Sequence, residues 1–165
     1  MMTPAYFQTL ARYNTWANRW LYEAAAELDD GAWRQPRPAA YFTSLQGTLN
    51  HLLVGDRVWM SRFEAVEAGV TSLDQILFDG FDELRAARET EDVRIERYAE
   101  RLTEEAIAGD LKFRTLVRPQ DMSMPLWQAL AHFFNHQTHH RGQAHGLLKE
   151  AGIEPPSLDL LYYLR

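Results

Sequence analysis

The chain has 165 residues, of which 46% are hydrophobic and 24% charged, proportions that suit one globular domain with a substantial core. A net charge of -6 excludes the clustered basic surface that nucleic-acid phosphates require, and the absence of cysteine excludes disulfides, thiolate metal ligands and a thiol nucleophile of the chain's own. No apolar run is long enough to cross a bilayer and the first residues lack a leader pattern, so a soluble cytoplasmic protein without membrane or nucleic-acid partners is expected.

Helical periodicity organises the rest. Phe7, Leu10, Asn14, Ala17, Leu21, Ala24 and Leu28 share one stripe of a first predicted helix, which Asp29, Asp30 and Gly31 stop. Pro36, Arg37 and Pro38 make an extended link. A second helix is predicted over residues 44–68, ending at Gly69. A third covers residues 81–108, with Leu84, Glu91, Ile95, Tyr98 and Leu102 on its apolar side, and stops at Gly109. Leu111, Phe113 and Thr115 then alternate with Lys112 and Arg114 at the period of a strand. A turn over residues 118–121 brings the chain back through Met122 and Met124 as a hairpin. Pro125 opens a fourth helix that runs to Glu150 and is closed by Gly152; Pro155 and Pro156 lead into an apolar tail over residues 158–164. One all-α domain over residues 1–165 is predicted, a four-helix bundle with a small β-hairpin before the last helix.

The fourth helix carries the chemistry. At helical spacing Ala129, His132, Phe133, His136, His140, Gln143 and Leu147 share one face, so histidines interrupt a stripe that points inward. His136 and His140 lie one turn apart, where two imidazoles on a rigid backbone can grip one ion. The second helix groups Thr48, His51, Val54, Gly55 and Val58, and Gly55 is expected to leave a hollow beside His51 for water or substrate. A single inward histidine is ordinarily a hydrogen-bonded core residue. Three unpartnered ones would each cost roughly 1–3 kcal/mol, a large part of a stability of about 5–15 kcal/mol. A polar network or a metal must satisfy them, and the turn-spaced pair favours a metal.

Rival metal patterns fail on particular residues. The zincin motif needs Glu where Gln137 stands, and no histidine has the Glu three residues earlier that di-iron bundles use. His132 would extend the row, but it lies two turns, roughly 12 Å of rise, from His140, too far for one ion to take both; with Gln143 it is a candidate to line the pocket or support the site. His139 projects away from His136 as a candidate to support the site or to face solvent, and His145 is expected to face outward.

The sequence HQTHHRGQ over residues 136–143 and NHLLVGDRVW over 50–59 resemble the DinB-like superfamily of metal-binding four-helix proteins; ARYNTWAN over 11–18 and PPSLDLLYYL over 155–164 match it too. The resemblance spans nearly the whole chain. It implies an up-down-down-up bundle, often a homodimer, in which His51, His136 and His140 bind one divalent metal and water or substrate completes the shell. Characterised relatives include bacillithiol S-transferases and mycothiol-dependent isomerases, so it also implies a small-molecule thiol and an electrophile as partners.

Three functions follow: a metal-dependent thiol S-transferase, a metal-dependent hydrolase, or a non-catalytic metal-binding or stress-response module. No catalytic residue is assigned. Nitrogen ligation points to zinc or nickel, with iron, manganese and copper also fitting. Asn14, the polar residue on the first apolar stripe, is a candidate for the pocket or for a buried bond to backbone. Arg88 and Glu91 either line the pocket or pair with each other, and Arg141 reads as structural, anchoring its helix or pairing with a carboxylate. Trp16, Trp20, Trp59 and Trp127 are read as packing.

Overall fold

The computed structural model describes residues 2–38 and 40–165. Thr3 starts the first helix by accepting from the Tyr6 amide, and Pro4 fills a position where its missing N–H costs nothing. That helix, α1 (Pro4–Ala25), buries Phe7, Asn14, Ala17, Leu21 and Ala24 of the predicted stripe. Asp29 does more than stop it. Its carboxylate accepts from the Ala32 amide at 2.7 Å and caps a five-residue helix, α2 (Asp30–Arg34), too short to show a period in the sequence.

Ser44 caps α3 (Leu45–Glu64), which ends at Ala65 in a left-handed conformation and so falls short of residue 68. The predicted third helix is two helices, α4 (Phe81–Glu100) and α5 (Glu104–Ala108). Thr103 makes the break, because its hydroxyl accepts from the Ala106 amide and begins a new N-terminus. The hairpin forms as predicted: β1 (Asp110–Arg114) pairs antiparallel with β2 (Asp121–Pro125), setting Leu111 opposite Met124 and Phe113 opposite Met122. Then come α6 (Leu126–Glu150) and a short α7 (Leu160–Tyr163) in the tail. No described helix is long and apolar enough to cross a membrane.

Side-chain pairings give the helix directions. Asn14 meets Asp92 and Tyr22 meets Phe81, so α1 and α4 are antiparallel. Asp56 meets Arg88 and Glu64 meets Arg94, so α3 and α4 are parallel. His51 lies by His140 and Trp59 by His132, so α3 and α6 are antiparallel. The result is the up-down-down-up bundle.

Its core has two large halves and a small third cluster of Val54, Val58 and Val70. One apolar half gathers Leu21, Trp33, Leu49, Leu53, Leu84 and Leu148, and the other Phe7, Met60, Ile95, Leu130, Phe133 and Phe134. Between them, all four long helices contribute buried polar side chains: Asn14 and Asn18, Asp56, Arg88 and Asp92, and Gln137 and Arg141. Arg88 meets Asp56 at 2.6 Å and Asp92 at 2.9 Å, while Gln137 donates to Asp56 at 3.0 Å. Asn14 and Asn18 donate to Asp92 at 3.1 and 2.9 Å, and Arg141 donates to Asn14 while lying over the Tyr13 ring. Two carboxylates face two guanidiniums, so the layer is neutral in sum. Burial raises the pKa of both carboxylates, and it pushes Asp92 up to about 6 despite the neighbouring Arg88.

Candidate metal centre

The polar layer fixes how α3 and α6 are rotated. Gln137 and Arg141 each follow a histidine of α6, and Asp56 follows Gly55 of α3. With those polar groups anchored inside the bundle, His51, His136 and His140 are turned to the α3–α6 seam, where one ligand atom from each lies within 4.8 Å of the others.

Two of the imidazoles have their protons assigned by their neighbours. His51 Nδ1 lies 2.7 Å from the Leu73 carbonyl, which can only accept, so Nδ1 carries the hydrogen and Nε2 is bare. His140 Nδ1 lies 2.7 Å from Gln143 Oε1, which leaves its Nε2 bare in the same way. The two Nε2 atoms face each other at 3.2 Å. With a lone pair on each side, no hydrogen bond can span that gap. Two imidazoles on one tetrahedral zinc ion, with Zn–N of about 2.0–2.1 Å, would set their nitrogens about 3.3 Å apart. His136 completes the group, and its Nδ1 is buried with no hydrogen-bond partner among the described residues. Backbone or amide oxygen on the far ring nitrogen is also the arrangement that orients metal-bound histidines. The donor set fits a divalent metal.

Burial holds all three rings neutral. It lowers the His51 pKa, brings His140 to about 4 against the opposing bond from Gln143, and brings His136 to about 3, with the neighbouring histidines acting in the same direction. A sign follows for the metal-free protein. Between about pH 4 and the ordinary imidazole value of ~6.5, the unfolded chain takes up protons that the folded site refuses, so these groups make stability fall as pH falls. Asp92, raised to about 6, acts in the opposite direction. The histidine contribution is therefore read as the difference in Tm-versus-pH slope between the metal-free chain and its His136→Ala variant. The wild type is expected to lose stability more steeply on acidification; parallel slopes would count against buried neutral rings.

Above the triad the chain makes a tight corner. Thr43 adopts φ 70°, in the left-handed region that a β-branched residue avoids. The corner is held by the Arg37 amide donating to the Thr43 carbonyl and the Thr43 amide to Ala40. A Cβ on Gly47 would stand 2.0 Å from the Phe42 carbonyl, so only glycine lets the corner sit down on α3. Phe42 consequently stacks on His51, with ring centroids 3.7 Å apart, and meets His140 edge-on. Beside this corner, His51 and His140 open on a hollow of about 1060 Å³ walled by Phe42, Leu73, Ile76, Leu116 and Val117, with Thr71, Ser72 and Asp74 at its polar part.

The model of the DinB family matches residues 1–165. The chain belongs to the DinB family. It is 28% identical over 164 residues to Protein DinB of Bacillus subtilis (strain 168), across 94% of this chain and 91% of that protein. It is also similar to the crystal structure of a DinB-like protein from Bacillus cereus ATCC 10987, with a TM-score of 0.68 and 22% identity over 88% of this chain and 91% of that one. At that identity the likeness speaks for the fold.

Gly55, Asn14, Arg88, Glu91 and His145 of this DinB-family chain stand elsewhere than the sequence suggests, whereas His132 and His139 stay outside the triad as expected. Gly55 leaves no hollow beside His51 for water or substrate, because the His136 ring fills the space: a Cβ at Gly55 would lie 2.7 Å from His136 Cε1. Asn14 does not reach the pocket; it is tied to Asp92 and Arg141 in the buried layer. Arg88 pairs with Asp56 and Asp92, while Glu91 pairs with Arg94 and Arg57, so neither lines the pocket and they do not pair with each other. His132 is exposed and packs on Trp59, outside the triad. His139 is exposed, with its Nε2 3.3 Å from the Gln143 amide that orients His140. His145 is only half-exposed and meets the Pro156 carbonyl at 3.1 Å, tying down the tail.

Gly55→Ala gives a clean separation of effects. Alanine favours the helix by up to about 1 kcal/mol, yet its methyl displaces the His136 ring. Thermal stability is expected to hold while affinity for zinc drops about tenfold or more, the size of effect that misorienting a ligand produces. Unchanged zinc affinity by competitive chelator titration would contradict the placement of His136.

Proposed function

We propose that His51, His136 and His140 hold one divalent ion with a position open to the hollow, and that the protein transfers a low-molecular-weight thiol to a small electrophile. The observation that carries this reading is the pair of bare Nε2 atoms, 3.2 Å apart, at the floor of a hollow large enough for a small molecule. When bound, the ion supplies Lewis acidity that brings a thiol's pKa well below its free value of about 8.5.

The chain's own residues do the rest. Leu73 and Gln143 fix the two tautomers, and Phe42 shields one face of His51. The apolar walls at Leu73, Ile76, Leu116 and Val117 keep water from a sulfur nucleophile, which attacks faster when poorly hydrated. With no cysteine in the chain, that sulfur arrives with the cosubstrate. The thiol gives up its proton to solvent at the open mouth, a new carbon–sulfur bond forms, and the electrophile's leaving group departs with the bonding electrons. Zinc or nickel as the ion, a homodimer as the assembly and the cytoplasm as the setting, where small thiols are kept reduced, belong to the same reading.

Cobalt-substituted protein tests it. Glutathione, bacillithiol or mycothiol should add a sulfur-to-metal charge-transfer band, and at least one should support conjugation to 1-chloro-2,4-dinitrobenzene. If none perturbs the spectrum and none is conjugated, the transferase reading gives way to hydrolysis or to metal binding alone.

A further inference from the structure

We propose that Arg62 recognises a carboxylate at the far end of the substrate whose reactive end lies at the histidine triad. This rests on the function proposed above for the triad, but Arg62 stands apart from it. On α3, His51, Gly55, Trp59 and Arg62 follow one stripe, and eleven residues separate the first from the last, about 16 Å of helix.

The Arg62 guanidinium rests against two rings that meet at a tilt, its carbon 4.4 Å from the centroid of Trp59 and 4.6 Å from that of Phe113 on β1, with the two centroids 5.5 Å apart. Neither ring offers a carboxylate oxygen to the N–H donors of its fork. The other wholly or partly buried arginines of α3 and α4 each meet a carboxylate: Arg57 meets Glu91, Arg85 Glu89, Arg88 Asp56 and Asp92, and Arg94 Glu64 and Glu91. Arg62 meets none among the described residues. Burial lowers its pKa, as expected of a half-buried cation without a counterion among the described residues.

The surroundings suit an anion. Arg62 borders a hollow of about 700 Å³ whose charged walls are Arg62, Lys112, Arg114 and a single carboxylate, Glu67. Arg114 is itself paired with Asp121. That hollow and the one over the triad share Thr71 and Leu116 as walls, so a slender molecule can lie across both. One planar guanidinium edge matches the two oxygens of one carboxylate, and its single charge suits a monoanion better than a phosphate dianion.

The decisive probe is nuclear magnetic resonance of the Arg62 Nε–Hε pair in the full chain with zinc supplied, the signal being assigned by its loss in Arg62→Met. Sodium hexanoate should shift it saturably, hexanol should not, and inorganic phosphate should bind more weakly. A signal unmoved by hexanoate, or phosphate binding as tightly, overturns the proposal whatever the metal does. A second arm joins the two hollows. With cobalt-substituted protein, mercaptocarboxylates from 3-mercaptopropionate to 11-mercaptoundecanoate are compared with chain-matched mercaptoalcohols. At one best length the carboxylate should bind about tenfold more tightly than the alcohol, and Arg62→Met should abolish that advantage while leaving 2-mercaptoethanol unaffected. No advantage at any length would overturn the link to the triad. A cobalt spectrum blind to every thiol would instead strike the transferase reading, with the resonance experiment still deciding Arg62.

Discussion

Replacing His140 by alanine is expected to lower affinity for zinc by more than about 100-fold, beyond the 10–100-fold that loss of an orienting partner alone costs. The ring supplies one of the two facing Nε2 atoms, and no other described side chain joins His51 and His136 in a group able to hold the ion. His51→Ala and His136→Ala should behave alike. His145→Ala should leave affinity unchanged, because that ring is occupied with the Pro156 carbonyl. The metal-free variants separate a ligand from a packing residue. Removing the His136 imidazole, whose buried Nδ1 has no partner among the described residues, should cost the metal-free fold little, whereas an ordinary core residue would cost it several kcal/mol. Chelator competition for affinity, paired with thermal denaturation of metal-free samples, checks both halves.

Arg88→Met is expected to be the most damaging change away from the triad. Arg88 and both of its carboxylate partners are buried, so its loss strands Asp56 and Asp92 in the core. Breaking a buried ion pair in this way costs about 3–5 kcal/mol, which for a chain of this length lowers Tm by roughly 6–20 °C. The deficit should shrink on acidification from pH 7 to pH 5. A carboxylate whose folded pKa lies above its unfolded value takes its proton sooner in the fold, and burial has already raised both Asp56 and Asp92. Adding Asp56→Asn and Asp92→Asn to the variant should recover much of the loss. A single variant as stable as the wild type at pH 7 would mean that the layer is solvated.

What the sequence made legible followed from periodicity. The stripes on α1, α3 and α6, the alternation of Leu111 and Phe113, and Pro125 before the last helix all correspond to elements of the fold. A local side-chain bond at Thr103 interrupted the long third stripe, and a cap at Asp29 made a helix too short to carry a period. At the site, helical arithmetic put the histidines on shared faces but had no means of seeing what the facing helix delivers. Gly55 thus looked like space, although His136 occupies it. The Leu73 carbonyl is backbone and leaves no trace in residue identity, and Phe42 reaches His51 through a corner that begins outside any periodic segment. The buried layer escaped for a related reason. Asp56 and Asp92 drew no expectation on their own helices, Arg88 read only as an interruption of an apolar face and Arg141 as an anchor without a named partner, and their meeting across the bundle explains all four.

The most direct test of the metal centre is anomalous diffraction from crystals of the untagged protein grown with zinc. The expected result is one zinc peak per chain between α3 and α6, about 2.1 Å from His51 Nε2, His140 Nε2 and a ring nitrogen of His136, with a further position on the side of the hollow. Zinc bound elsewhere, or a fully loaded crystal with no peak within bonding distance of these three imidazoles, would contradict it.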